Sequence, residues 1–558
     1  MKVVIFGGGV AGLSAAHELI KRNFEVEVYE ASAVPGGKAR SVDVPGSGKE
    51  GRLDLPGEHG FRFFPRFYKH IIATMEEIPV GKNKTVADNL VETERIRMAR
   101  FDKPSVFLPA RFPRSLKELK SFLDKGLGAD LGLSKQDKEI FAMKLWQLMT
   151  SCSERRENEY ERISWWEFMD ADWHTLPYQT IFVKGLTRTL VAARAEKAST
   201  KTGGDIFLQL IFDIARPGMS SDRILNAPTN DAWINPWIKH LKEKGVKFHF
   251  NSPLKKFNCT ATDIKSATVI NNNTEQEVIA DFYLSAVPVE VMAEKIDKNL
   301  LFIDPALKGI VDLSTETSWM NGAQFYLTED IEICQGHTIY IDSPWALTSI
   351  SQKQFWPHVD LSKYGDGKVK GILSVDISDW DAKGILYNKS AKECTKEEII
   401  KEVWAQLKKS LNINGKEILE DKHLHESFID PDIEFEGVPK KNTEPLLVNT
   451  VNSWALRPYS YTRVPNLFLA SDYVKTYTDL ATMEGANEAA RRAVNNIIDV
   501  SKKGCKKCQI WNLHEPFVLS IFRWLDKRRY KKGLDWNQRF PLPFEVIQSI
   551  IVFFKRIF

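Results

Sequence analysis

The polar and apolar positions of the first thirty residues follow two different periods. Val3-Val4-Ile5-Phe6 is an unbroken β-branched and aromatic run, the pattern of a strand buried on both faces. Leu13, Ala16, Leu19 and Ile20 then recur at helical spacing, and Phe24-Glu25-Val26-Glu27-Val28-Tyr29 reads as a second strand ending at Glu30. Further short strands are expected at Val246–Phe250, after a turn at Gly245, at Asp281–Pro288, and at Leu467–Ala470. Residues 481–493 read as a helix with small residues along one side. Between these segments the pattern changes. Residues 86–229 show helical periodicity and many aromatics, among them Trp146, Trp165, Trp166 and Trp173. Residues 321–444 mix helices with strand-like runs at Gln324–Leu327, Ile339–Ile341 and Gly371–Val375.

The end of the chain differs again. Phe517–Leu525 is apolar and is followed by Lys527, Arg528, Arg529, Lys531 and Lys532. Val546, Ile547, Ile550, Ile551, Phe554, Ile557 and Phe558 share one helical face, with Gln548, Ser549, Val552, Lys555 and Arg556 on the other. An apolar face with basic flanks is the signature of a helix lying in a membrane interface.

At 558 residues the chain is too long for one core, so two or three globular units are expected. With 43% hydrophobic and 27% charged residues it has the composition of a soluble globular protein, and no window approaches the apolar length of a membrane span. It opens directly on a strand, so no signal or transit peptide is expected. Six cysteines in this length form no disulfide framework; Cys152, Cys259, Cys334 and Cys394 read as reduced packing residues, and a cytoplasmic setting follows. The net charge of +4 is unevenly spread: residues 501–558 carry +9, leaving −5 on the rest. A basic tail on a mildly acidic body points to an anionic membrane surface as a partner of the tail alone. No nucleic-acid module accompanies the charge, so no nucleic-acid partner is expected.

Chemistry enters at Gly7-Gly8-Gly9-Val10-Ala11-Gly12, a G-x-G-x-x-G between the first strand and the first helix. Gly7 permits the tight turn, Gly9 lets the backbone approach a pyrophosphate, and Gly12 lets helix and strand pack closely. The helix start, including Val10 and Ala11, offers free N–H groups and a positive dipole end to phosphates. Glu30 lies 18 residues after Gly12, where a carboxylate can accept both ribose hydroxyls of an adenosine. These are the parts of a Rossmann-type dinucleotide site. The next glycines, Gly36-Gly37-Lys38-Ala39-Arg40-Ser41, resemble the G-G-[RK]-x-x-S element of the amine oxidase/phytoene desaturase superfamily, whose members bind FAD. A second glycine loop with Lys38 and Arg40 supplies further donors and cations for a pyrophosphate. The superfamily usually carries Arg at the Lys38 position.

Gly57-Glu58-His59-Gly60-Phe61 resembles the G-x-H segment of plant- and cyanobacterial-type phytoene and ζ-carotene desaturases. The resemblance implies that Glu58 and His59 neighbour the flavin, with no proton-transfer role assigned. Pro465–Asp472 and Met483–Ala493 are similar to the family's PNLFLAGD and MEGAxxSG signatures. This implies that Asp472 holds the ribityl or pyrophosphate region and that the Met483 backbone donates to the flavin pyrimidine edge. Ser471 replaces the usual Gly, and Asn487-Glu488-Ala489 replaces the Ser-Gly region. In the same family the region corresponding to Val246–Leu254 packs on the adenine, so the resemblance implies a backbone contact there from Leu254. The fold class that follows is α/β: a Rossmann-type FAD-binding domain from residues 1–85, 230–320 and 445–500, a helical insertion at 86–229, a mixed α+β substrate domain at 321–444, and a basic amphipathic tail at 501–558.

No metal constellation is visible. Cys505-Lys506-Lys507-Cys508 lacks a second pair and reads as a basic linker. Neither G-x-S-x-G nor H-E-x-x-H occurs, and no catalytic acid or base can be named. The resemblance implies an FAD-dependent oxidoreductase that moves hydride from a long isoprenoid or other lipid to flavin N5, with a quinone or oxygen as acceptor. The 15 Trp and 32 Phe fit an apolar tunnel better than a polar pocket. Rival readings are a flavin-dependent isomerase or reductive dehydroxylase acting on a lipid, and an amine oxidase. A non-enzymatic prenyl-binding protein of the same fold, like the Rab GDP-dissociation inhibitors, is a further rival.

Overall fold

The computed structural model describes residues 1–110, 132–185, 194–215, 218, 220–437 and 440–538. The apolar helix expected at Phe544–Phe558 lies outside the described residues.

The N-terminal strand Lys2–Phe6 is the centre of a five-stranded parallel sheet. Its order is Lys247–His249, Glu25–Tyr29, Lys2–Phe6, Phe282–Ser285, Leu467–Leu469, so three distant stretches of chain build one domain. The central strand is buried on both faces because side chains alternate. Val3 and Ile5 join the core under the helices Val10–Ile20 and Met483–Ser501, whereas Val4 and Phe6 join a second core with Phe257, Tyr283 and Leu313. The helix Val10–Ile20 packs on Met483–Ser501, and small residues such as Ala15, Ala16, Ala490 and Ala493 are buried there. The two ends of this domain therefore meet beside the first glycine loop.

A seven-stranded sheet forms the second unit, in the order Leu424–Ile429, Asn321–Leu327, Gly371–Ile377, Thr348–Ser351, Thr338–Tyr340, Arg95–Arg100, Lys103–Pro109. Phe325 and Leu373 pack under the helix Lys396–Leu411, and Tyr326 and Ile372 pack with Trp356 against Leu55 and Phe61 from the first unit. One face of this sheet thus lies against the segment that contains Glu58 and His59. The last two strands fall inside the stretch expected to be a helical insertion. Residues 90–109 are extended instead: Leu90–Glu92 pairs with Arg223–Leu225, and Arg95–Arg100 with Thr338–Tyr340. Alternation in Arg95–Arg100 places Arg97 and Ala99 inward, a period too short to separate from a helix before its partner strand is known.

Among the described residues, the helical unit comprises Lys135–Thr150, Ser153–Asn158 and Thr200–Ala215 around Trp165, Phe168 and Tyr178. The described part of the tail docks on it. The helix Ser520–Tyr530 places fully buried Asp526 against Arg155, at 3.0 Å, and Phe522 edge-on to Trp146. No described helix is long and apolar enough to cross a membrane.

Candidate functional site

The first glycine loop is shaped by contacts that exclude side chains at two positions. Gly7 has φ +102°, and a methyl there would lie 2.7 Å from the Ala286 carbonyl oxygen. A methyl at Gly12 would overlap the Gly7 carbonyl oxygen. Gly9 is different. Its nearest neighbour on that side is Gly37, at 3.6 Å, so packing within the chain does not demand a glycine. A backbone laid bare without internal need is what close approach of a ligand requires. The second loop meets the first here, through Gly36 N donating to Gly8 O at 3.0 Å and a bridge between Gly9 and Gly36. Gly36 and Gly37 both adopt positive φ. Val10 and Ala11 form the first turn of the helix, whose N–H groups have no intrahelical acceptors.

Glu30 closes the adjacent end. Its Oε2 accepts from Gly8 N at 2.5 Å and its Oε1 from Ser32 N at 2.7 Å. Burial raises its pKa against the opposing pull of these bonds. Each oxygen keeps a lone pair for a hydroxyl donor. Ser252 N donates to Glu30 O, and Glu30 N to His249 O, which brings the segment leading to buried Leu254 beside the acid.

Asp472 follows the last parallel strand, with Arg457 Nη1 donating to its carbonyl at 2.6 Å and Ser471 Oγ donating to its carboxylate at 3.2 Å. Ser471 has φ +149°, a conformation that favours glycine, which matches the residue the family signature carries there. The helix Met483–Ser501 starts at the Thr482 cap, whose hydroxyl accepts from Gly485 N. Met483 therefore presents a free first-turn N–H. Glu484 turns away and caps another helix start, accepting from the backbone of Lys69, His70 and Ile71.

Three expected side chains are engaged by the protein itself. Lys38 Nζ pairs with Glu290 at 3.2 Å and donates to the Pro445 carbonyl. Arg40 is spent on Asp432 at 2.8 Å and Glu444 at 2.7 Å. Glu58 is fully buried and accepts from Thr229 N and Oγ1, both at 3.0 Å; burial pushes its pKa up to about 7.

His59 lies at the seam between the two units. Its Nδ1 is 2.6 Å from Asp430 Oδ2 and 3.6 Å from Asp432 Oδ2. Burial acts to lower its pKa, but the carboxylates outweigh that and push it up to about 9. Asp430, conversely, is held below the usual carboxylate range against its burial, by the imidazole beside it. Asn321 Nδ2 also donates to Asp430, at 2.7 Å. His59, Asp430 and Asp432 bring three potential metal ligands within 4.8 Å of one another. Arg40 Nη2, however, lies 3.1 and 2.8 Å from the two oxygens of Asp432, so a guanidinium already fills the third ligand. The cluster is an ion-pair network. Sequence reading missed Asp430 and Asp432; the only signal is the acid-Pro-acid run at the end of a strand, with no indication of what it faces.

The cradle thus gathers Gly7, Gly9, Gly12, Gly37, Glu30 and Leu254 on one side and Asp472 and Met483 on the other. The profile of the flavin containing amine oxidoreductase family matches residues 10–498. The carotenoid phi-ring synthase of Chlorobaculum tepidum is 46% identical over 68 residues, covering 12% of this chain and 10% of that protein. The zeta-carotene desaturase of Synechocystis is 24% identical over 324 residues, covering 54% of this chain and 60% of that protein. The chain therefore spans less than two thirds of either relative. A putrescine oxidase bound to putrescine shares the fold at 13% identity, with a TM-score of 0.60 over 89% of this chain and 99% of that one.

Proposed function

Because the chain belongs to the flavin containing amine oxidoreductase family, with FAD as its cofactor, we propose that it is a desaturase acting on a long isoprenoid or other lipid. The observation that carries this reading is the convergence of two glycine loops, Glu30 and the Met483 helix start from three distant segments, together with the similarity to carotenoid enzymes. When bound, FAD supplies a two-electron acceptor at N5 for the hydride that leaves a substrate carbon.

The chain's own residues supply position and charge. Gly9 and Gly37 let the diphosphate approach the backbone, while the helix start at Val10 and Ala11 donates to it. Lys38 reaches the same region only by releasing Glu290. Glu30 would accept from the ribose and Leu254 would contact the adenine. Asp472 would hold the ribityl chain. The Met483 N–H would donate to the pyrimidine edge, where a positive helix end stabilises added negative charge. Glu58 contributes through its backbone, since its carboxylate is held by Thr229. His59, kept cationic by Asp430, adds a positive charge on the flavin side of the seam.

The tail supports a membrane-surface location on the cytoplasmic side. Phe517, Val518, Ile521 and Trp524 are 88%, 77%, 59% and 53% exposed, next to a basic run. A lipid substrate would then be drawn from the bilayer, with a quinone or oxygen taking the electrons.

Anaerobic mixing of the yellow protein with a long polyene tests the reading. Bleaching of the flavin band, with product two hydrogens lighter per turnover, is expected. An unchanged mass would mean isomerisation, and loss of oxygen a dehydroxylation. A folded protein that refuses FAD would be a lipid-binding module instead.

A further inference from the structure

A cavity of about 600 Å³ lies where the helical unit, the segment 454–492 and the tail meet. That volume suits a small organic ligand. Five cations line it, and four of them have carboxylate partners. Arg156 pairs with Asp205 and Glu515, Lys201 with Asp479, Arg492 with Glu488, and Arg523 with Glu515, all within 3.2 Å. Lys475 has none among the described residues. Its ammonium rests on the faces of Trp454 at 4.4 Å and Tyr459 at 5.0 Å. Burial lowers its pKa, the mark of a cation short of compensation. Asp479 and Glu157 attract this half-buried ammonium from beyond ion-pairing distance, so it lacks the contacting carboxylate whose place an arriving anion would take.

The wall of this cavity runs straight into the exposed apolar edge. Residues 512–516 line it, and Phe517 and Val518 follow at once. In the next helix Arg523 lines the cavity, while Ile521, Trp524 and Leu525 share an exposed face at spacings of three and four. Lys527, Arg528, Arg529, Lys531 and Lys532 complete a basic border. We propose that this cavity holds the phosphate headgroup of an anionic phospholipid against Lys475, while the Phe517–Leu525 edge enters the acyl region of the same leaflet. This rests on the reading of the tail as a membrane-surface element, and adds to it a defined headgroup site.

Four carboxylates also line the wall, and Asp205, Asp479 and Glu515 are taken up by the paired cations. The fourth, Glu157, makes no ion pair among the described residues, and burial raises its pKa against the pull of Lys201. Its carboxylate acts on Lys475 across the same space, so Glu157→Gln should strengthen anion binding.

Flotation of the full-length holoprotein with phosphatidylcholine vesicles, with and without phosphatidylglycerol, tests the proposal. Wild type should prefer the anionic vesicles. Lys475→Gln should weaken that binding about fivefold, the worth of one surface lysine at an anionic membrane. It should leave binding to phosphatidylcholine unchanged, and Lys475→Arg should restore the preference. Phe517→Ser with Ile521→Ser should weaken binding to both vesicles. Anionic binding that is unaffected by Lys475→Gln overturns the headgroup site while leaving the membrane reading intact. Wild type that binds no vesicle overturns both. Inorganic phosphate at millimolar concentration abolishing the preference for phosphatidylglycerol would mark a free-anion site and overturn the lipid assignment. An unaltered flavin spectrum in each variant confirms that the fold is retained.

Discussion

The glycine cradle and the ionic cluster beside it lie next to one another and are built by opposite means. The cradle is made of backbone. Gly7, Gly9, Gly12 and Gly37 fall within one short stretch, and what they offer is an absence of side chains. The cluster is made of charged side chains, and its bonds join residues 392 and 404 positions apart, Arg40 to Asp432 and to Glu444. Packing fixes Gly7 and Gly12 in the first and leaves Gly9 open; the second depends on the two units closing on each other so that its buried charges find partners. The two regions should therefore fail differently. The cradle should respond to added volume at any pH, and the cluster to lost charge in a defined pH range.

The sharpest break is within the cradle itself. Gly12→Ala forces a methyl into the Gly7 carbonyl oxygen, where backbone meets backbone and neither can move cheaply. A loss of about 3 kcal/mol or more is expected, at the upper end of overpacking penalties, with no bound flavin. Gly9→Ala has 3.6 Å of clearance and should leave the apoprotein melting temperature unchanged while weakening FAD binding. Thermal melts of the apoproteins and FAD titrations separate the two. Equal destabilisation by both substitutions would show that the loop is built for packing and not for a ligand.

This contrast also explains what could be read from the sequence. The cradle was legible because its information is local: a strand, three glycines, a helix and an acid in fixed order. The return of the chain at Leu467–Leu469 and Met483 was legible for the same reason. The cluster was not. Asp430 and Asp432 carry no local pattern, and Arg40 looked like a phosphate ligand because its real partners are hundreds of residues away. Residues 90–109 were misread as part of a helical insertion because a strand of six residues takes its identity from its neighbour in the sheet, here Thr338–Tyr340. Lys475 carries no local signal in the sequence, since only the folded chain shows that four nearby cations are paired and it is not.

The next largest effect is on the cluster. His59 is held at about pKa 9, above its ordinary 6.5, by Asp430. A raised histidine pKa contributes stability that is fully present below 6.5 and is lost as pH rises through 9. Asp430→Asn removes the partner and keeps the shape, so the imidazole reverts toward its ordinary value. The variant should be less stable than wild type by about 3 kcal/mol at pH 6–7, and the gap should narrow steadily toward pH 10. Urea midpoints across that range measure it. A gap that stays constant to pH 10 would mean that His59 is not charged in the folded protein, and the seam would then be held by the Arg40 pairs alone.

The smallest effect tests whether the cradle's rule extends to the one position where a side chain intrudes. Ser471 adopts φ +149°, which costs a non-glycine residue about 1–3 kcal/mol. Ser471→Gly relieves that strain, but it also frees the unfolded chain, at a cost of about 0.4–1 kcal/mol. It further removes the hydroxyl that donates to Asp472. The balance should be a gain of up to about 1 kcal/mol, visible as a rise of about 1 °C in melting temperature. If melting is unchanged while FAD dissociates faster, the hydroxyl's orientation of Asp472 outweighs the strain it imposes. The serine would then be a side chain that serves the cofactor at a point where the rest of the cradle serves it by having none.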